Sequence, residues 1–242
     1  MIETPTYTIY RVDAPLTIDG VLDEPAWQTA PTIALREALH GGEPRQQTVS
    51  RLLWDDVYLY ASWVCEDRDI WGTMTQRGDY IYNEEVVELF LDADGDGIGY
   101  VEIEVSPRNT VLDLFMLNRN DRWKQLWSWR SEELQTAVKV EGDPTRRGTA
   151  DCRWTVEMAV PLADLMTASH IPPQPGDVWL GNLYRIDRAE DGDEFSAWSP
   201  VYRDTFHTPG RFGRLVFSGK SVSFPAIAKE GPDLATIAPK TW

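Results

Sequence analysis

Three groups of residues in this sequence have the types and spacing for chemistry. The first is Asp92-Ala93-Asp94-Gly95-Asp96-Gly97. Alternating carboxylates followed by glycine bring hard oxygen donors together over a tight turn, as in the opening of a calcium loop. The twelfth position is Ile103, where an EF-hand places Glu, and strand-like runs flank the segment. The expectation is a calcium site on a hairpin, built from Asp92, Asp94, Asp96 and a backbone carbonyl. The competing reading is a plain Asp/Gly turn, which the same residues favour.

The second group is Glu84, Glu85, Glu88, Glu102 and Glu104. Paired carboxylates could run glycoside hydrolysis. Strand alternation, however, puts Glu102 and Glu104 on one face and Glu88 on the neighbouring strand. A solvated or arginine-paired face is the simpler account, with Arg185 the expected partner of Glu88 if their strands adjoin.

The third group is aromatic. Trp71, Tyr80, Tyr82, Trp123, Trp127, Trp129 and Trp198 fall in segments that read as loops, beside Asn, Asp, Glu and Arg. An indole face can carry the apolar face of a pyranose while planar polar groups meet its hydroxyls. The chain has 11 Trp, more than a core of this size needs. Trp27, Trp54, Trp63, Trp154 and Trp179 are assigned to the core, and the surplus points to a stacking surface. His40, His170 and His207 show no metal spacing, and no nucleophile elbow, phosphate loop or dinucleotide fingerprint is present.

Short strands must position these groups. Thr6–Val12, Thr48–Trp54, Val57–Cys65, Val86–Asp92, Tyr100–Val105, Val111–Leu117, Leu134–Val140, Trp154–Val160, Val178–Arg185 and Arg214–Phe217 read as strands, most with period-two alternation. Helical signals are brief: a turn at Asp23–Trp27 and a short helix from Pro161 to about Met166. The pattern predicts an all-β fold, an antiparallel β-sandwich of two sheets, immunoglobulin-like or jelly-roll-like, with short helical turns. Residues 1–218 form the domain and 219–242 a tail draped over it.

The 242 residues carry a formal charge of −16. That acidity disfavours nucleic acid and anionic membranes as partners. No run is long enough to span a bilayer. The start lacks the basic flank and apolar stretch of a secretory leader. Cys65 and Cys152 read as buried free thiols, with one disulfide the alternative.

Several segments, in order, resemble carbohydrate-binding module family 9. They are Ile18-Asp19-Gly20-Val21-Leu22-Asp23-Glu24-Pro25-Ala26-Trp27, Leu53-Trp54-Asp55-Asp56-Val57-Tyr58-Leu59-Tyr60, Val87-Glu88-Leu89-Phe90-Leu91-Asp92 and Tyr100-Val101-Glu102-Ile103-Glu104-Val105. Trp154-Thr155-Val156-Glu157-Met158-Ala159-Val160-Pro161, Asn182-Leu183-Tyr184-Arg185 and Phe206-His207-Thr208-Pro209-Gly210-Arg211-Phe212-Gly213 complete the series, which covers roughly residues 7–218. The resemblance implies a non-catalytic, usually calcium-bearing sandwich that holds a mono- or oligosaccharide between aromatic side chains at one end. Glucan and xylan are the implied polymers, and an extracytoplasmic setting is implied too, against a cytoplasmic one if the chain is complete. Carried over by position, Trp71 and Trp198 are the sandwiching pair, and Glu85 or Glu88, Asn182 and Arg185 are polar contacts. The segment holding Trp123, Trp127 and Trp129 stands outside the motif set and could replace or block that site. Two alternatives stay open. One is a glycosidase using Glu85, Glu88, Glu102 or Glu104. The other is a haem-bearing electron-transfer sandwich with His207 and Met74 or Met116 as ligands.

Overall fold

The computed structural model describes residues 3–119, 122–148 and 150–222. In chain order these form β1 (Thr6–Arg11), α1 (Pro25–Thr29), β2 (Ile33–Ala34), β3 (Arg36–Glu37), β4 (Thr48–Trp54), β5 (Tyr58–Glu66), β6 (Val86–Asp92) and β7 (Gly99–Val105). There follow β8 (Val111–Arg119), β9 (Arg122–Leu126), β10 (Gln135–Glu141), β11 (Arg153–Pro161), β12 (Val178–Ala189), β13 (Gly192–Ala197) and β14 (Gly213–Ser221). The strands lie in two layers. The first runs β10-β11-β5-β4, and the second β14-β12-β6-β7-β8-β9.

β1 joins the layers. Thr6–Ile9 pair with Arg214–Phe217 of β14, and after a bulge Tyr10 and Arg11 pair with Leu53 and Trp54 of β4. Both of these pairings are parallel, so the sandwich is not purely antiparallel as expected. β1 is joined to neither β14 nor β4 by a hairpin, and only a hairpin forces opposite directions.

Alternation decides what each face holds. On β5, Leu59, Ala61, Trp63 and Cys65 point between the layers, as do Trp154, Val156, Met158 and Val160 of β11. Facing them are Val87, Leu89 and Leu91 of β6 and Val101, Ile103 and Val105 of β7. The five tryptophans assigned to the core are all fully buried. Truncating any one of them to Ala would cost about 3–5 kcal/mol.

The outer face of the first layer is covered by residues 12–30. Trp27 and Leu53, Tyr60 and Ala159 pack together there. Glu157 ties the cover down. It accepts hydrogen bonds from Trp27 Nε1 at 2.8 Å, the Gly20 N–H at 2.7 Å and the Asp19 N–H at 3.0 Å. Gly20 has φ +85°, and a Cβ there would stand 2.9 Å from the Lys139 backbone nitrogen. Only glycine fits that turn.

The second layer's outer face is covered less completely. Ala38, Ile81, Val201 and Phe212 reach over Phe90, Tyr100 and Tyr184, and the gap left between these loops is the cavity described below.

Several expectations change. Trp123 lies on a strand, β9, and β13 also forms where no strand was expected. The helix expected from Pro161 is one 3-10 turn, Leu162–Asp164. β14 runs to Ser221, past the expected boundary at 218, and residues 223–242 of the expected tail lie outside the described residues. Both cysteines are free, but Cys152 is exposed because it precedes β11 at the sheet's rim.

Candidate ligand-binding site

The outer face of β6, β7 and β8 sets three carboxylates side by side. Glu88 is registered opposite Glu104, and Phe90 opposite Glu102. Glu102 and Glu104 share a face because they are two residues apart on one strand. The three offer oxygens that all lie within 4.8 Å of one another. They form the floor, with Phe90, Leu114 and Ile186, of a cavity of about 550 Å3.

Its walls are aromatic. Tyr82 and Trp127 line one side, and exposed Tyr80 braces both, with ring centroids 5.7 Å and 5.4 Å away. Trp123 on β9 stands 5.5 Å from His207. Phe206 is stacked on Tyr184 at 4.1 Å, with Phe195 edge-on at 6.0 Å. Glu37, Gln125, Arg203 and Asp204 also line the cavity. Trp123 and Trp127 are 46% and 41% exposed, although the Trp123 ring lies against His207 and the Trp127 ring against Tyr80. The volume is within the range of small-molecule sites.

The electrostatics are lopsided. Burial pushes the Glu102 carboxyl up to about 7. Burial, and then the neighbouring carboxylates, holds Glu88 and Glu104 well above the usual carboxylate range. Both Glu104 oxygens and Glu102 Oε2 are buried without a hydrogen-bond partner. His207 is pushed down to about 4 by burial. Its Nδ1 and the Tyr100 hydroxyl are hydrogen-bonded at 3.0 Å, and its ring stacks on Phe90. The expected haem ligand is thus part of the cavity wall.

Of the six expected ligand residues, Glu88 lines the cavity. Trp71 and Trp198 are not brought together across a slot. Trp71 donates Nε1–H to the Arg188 carbonyl at 3.0 Å and lies under the Arg147 guanidinium. Trp198 packs against the inter-layer core, edge-on to Tyr7, with its ring where a Cβ of Gly213 would be. Asn182 clips the covering loop: its Nδ2 donates to the Ser199 carbonyl and its Oδ1 accepts from the Ser199 N–H, each at 2.9 Å.

Arg185 does not pair with Glu88, although their strands adjoin. Tyr184 is opposite Glu88 and Arg185 opposite Val87, so the guanidinium points between the layers. There it meets Asp67 at 2.8 Å, Asp187 at 3.4 Å, the Glu66 carbonyl at 2.7 Å and Thr48 Oγ1 at 3.2 Å. Glu85 belongs to the same buried group, its carboxyl pushed up to about 10 by burial and then by Asp67.

The Asp92–Gly97 segment is the hairpin between β6 and β7. Asp92 accepts from the Gly95 and Gly97 N–H groups, both at 2.8 Å, and Asp96 from the Ile98 N–H at 2.7 Å. Asp92, Asp94 and Asp96 bring one oxygen each within 4.8 Å of the others. Burial, then the Asp94 carboxyl, pushes Asp92 up to about 7 against those backbone hydrogen bonds.

The expected site lay among loops at one end of the sandwich. The cavity instead opens on a sheet face, and sequence reasoning had separated its parts. Alternation marks Glu102 and Glu104 as one strand face, whereas the segment of Trp123 and Trp127 reads as a loop. Only the β8–β9 hairpin, folding Trp123 back opposite Asn118, brings the two groups together.

The profile of the family described as carbohydrate family 9 binding domain-like matches residues 18–220. Endo-1,4-beta-xylanase A of Thermotoga maritima is 25% identical over 202 residues, 82% of this chain and 16% of the xylanase. The chain therefore corresponds to a small part of that enzyme. An extracellular protein of Arthroderma benhamiae is 22% identical over 209 residues, 82% of this chain and 91% of that protein. Among solved structures, a putative carbohydrate-binding protein from Bacteroides uniformis superposes with a TM-score of 0.73 at 17% identity, covering 89% of this chain and all of that one. A carbohydrate binding module family 9 from Caldicellulosiruptor kristjanssonii, solved in complex with cellotriose, gives 0.62 at 16% identity over 94% of this chain and all of that one. These structures share the fold. With the match over residues 18–220, the chain belongs to the carbohydrate family 9 binding domain-like family.

Proposed function

We propose that this non-catalytic carbohydrate-binding module takes a mono- or oligosaccharide, glucan- or xylan-derived, in the cavity on the outer face of β6, β7 and β8. The observation that carries the reading is one cavity that joins two exposed indoles, Trp123 and Trp127, to a floor of hydrogen-bond acceptors, Glu88, Glu102 and Glu104. Stacking takes the apolar face of a sugar ring, and hydrogen bonds to the floor carboxyl groups fix its hydroxyls. The Caldicellulosiruptor modules were solved with cellotriose and with glucose, which supports sugars of this size.

The hairpin carboxylates suit calcium. Asp92, Asp94 and Asp96 form a compact set of hard oxygen donors. These three residues would hold the ion, which would brace the hairpin at the end of the site's floor strands.

Titration of tryptophan fluorescence with glucose, cello-oligosaccharides and xylo-oligosaccharides tests the site. A saturable change is expected, lost in Trp127→Ala and strongly weakened in Trp123→Ala. Trp71→Phe should bind as the parent does. No response to any of these sugars, with or without calcium, would sink the reading. A response lost in Trp71→Phe but kept in Trp127→Ala would move the site elsewhere.

A further inference from the structure

We propose that the ligand of this cavity is a cationic sugar, an amino sugar whose ammonium group is received by Glu88, Glu102 and Glu104. The inference rests on the cavity being the sugar site and names the class of sugar it takes.

The geometry comes first. An ammonium offers three N–H donors in tetrahedral array. With N–O distances near 2.9 Å, its three acceptors stand roughly 4.7 Å apart. One oxygen from each of the three floor carboxylates lies no more than 4.8 Å from the other two, close enough together for a single ammonium to reach all three. Glu104 is 1% exposed, and neither of its oxygens has a donor. Glu102 Oε2 is also buried and unsatisfied. Within the floor Glu102 and Glu104 have only each other as close hydrogen-bonding partners, with His207 Nδ1 3.9 Å from Glu102 Oε2, so the oxygens that line the cavity have acceptor capacity left for a ligand.

Charge separates the amino sugar from a neutral one. Hydroxyls can donate to carboxylates but bring no positive charge. Crowded buried carboxylates left unbalanced are costly. Besides Arg203, which lines the same cavity, two basic groups lie near the floor. Arg188, the guanidinium that acts on Glu88, is committed to the Tyr82 carbonyl at 3.0 Å and to Asp193. His207 is neutral at pH 7 because it is buried. Without a cation the floor meets that cost by holding protons; a ligand ammonium would take the place of those protons, and the π-faces around it favour a cation as well.

A divalent metal fits less well. Calcium takes six to eight oxygens, whereas the rest of the floor is Phe90, Leu114 and Ile186.

The test is calorimetric titration of the whole chain at pH 7 with glucose, glucosamine and N-acetylglucosamine, each with calcium and with EDTA. N-acetylation keeps the ring and removes the charge. Glucosamine is expected to bind at least tenfold more tightly than glucose, and N-acetylglucosamine no more tightly than glucose. Glu104→Gln and Glu88→Gln should each bring the glucosamine-to-glucose affinity ratio close to one. Equal wild-type affinities for glucose and glucosamine overturn the inference while leaving the module reading intact. Glucose binding that requires calcium and disappears in Glu104→Gln also overturns it, because the floor then holds a metal. Binding of none of the three sugars overturns the inference, and silence to cello- and xylo-oligosaccharides as well overturns the sugar-site reading with it.

Discussion

At the scale of single residues, the lesson is how much the period of a strand decides. Arg185 and Glu88 are on adjoining strands, yet one position of offset sends them to opposite faces. Of the five core tryptophans, Trp54, Trp63, Trp154 and Trp179 were legible because each sits on a strand whose phase fixes its direction, while Trp27 sits on the short α1 helix. Trp71 and Trp198 were not, because no period constrains a loop residue. The floor carboxylates carry a stability consequence. Their folded-state protonation range lies above the ordinary one, Glu102 reaching about 7, so the folded state holds more protons than the unfolded chain between about pH 4.5 and 7. By linkage their contribution to stability falls as pH rises through that window. His207 works in the opposite sense. Its range is lowered to about 4, so its contribution rises between about pH 4 and 6.5. Glu104→Gln removes one crowded charge and leaves His207 in place. It should raise unfolding stability by about 1–2 kcal/mol at pH 8 and have little effect at pH 4.5. Urea denaturation at the two values checks this. An equal gain at both would mean that charge crowding is not the cause.

At the scale of elements, the strands that pack between the layers were legible and the polar ones were not. β9 (Arg122–Leu126) is exposed along most of its length, and β13 is rich in acidic residues. Neither shows the apolar alternation by which strands are read. β9 nevertheless carries Trp123, so missing it meant missing a wall of the site. The β6–β7 hairpin shows the reverse. Its Asp and Gly residues announced a turn, and the backbone hydrogen bonds to Asp92 and Asp96 show why a turn forms without an ion. What an ion would add is relief of the crowding around Asp92. Calcium at millimolar concentration should therefore raise the melting temperature, and Asp94→Asn, which leaves the Asp92 hydrogen bonds in place, should abolish most of the rise. Differential scanning calorimetry with calcium, magnesium and EDTA checks it. An identical shift with wild type and Asp94→Asn would place the calcium elsewhere.

At the scale of the whole molecule, one strand divides two kinds of polarity. The outer face of β12 presents Tyr184 and Ile186 to the ligand side, while its inner face carries Arg185 and Asp187 into the space between the layers. The ordered motifs made the sandwich legible, but a long-range tie of this kind depends on register and cannot be read from local pattern. Arg185 bonds Asp67, the Glu66 carbonyl and Thr48, all from the first layer, and so joins the two sheets across a buried gap. Removing it would leave Asp67, Asp187 and Glu85 crowded and buried without a cation. Breaking such a pair by deleting one partner costs about 3–5 kcal/mol. Arg185→Met should therefore lower unfolding stability by that amount, and Arg185→Lys by less, because Lys keeps the charge but loses the fork that spans several acceptors. At 10 °C, where the variant remains folded, its sugar affinity should match the parent's, since the guanidinium lies on the face of β12 away from the cavity. Denaturant unfolding paired with low-temperature sugar titration separates the two roles. A stable Arg185→Met protein that no longer binds sugar would return Arg185 to the ligand site and undo this division of the β12 faces.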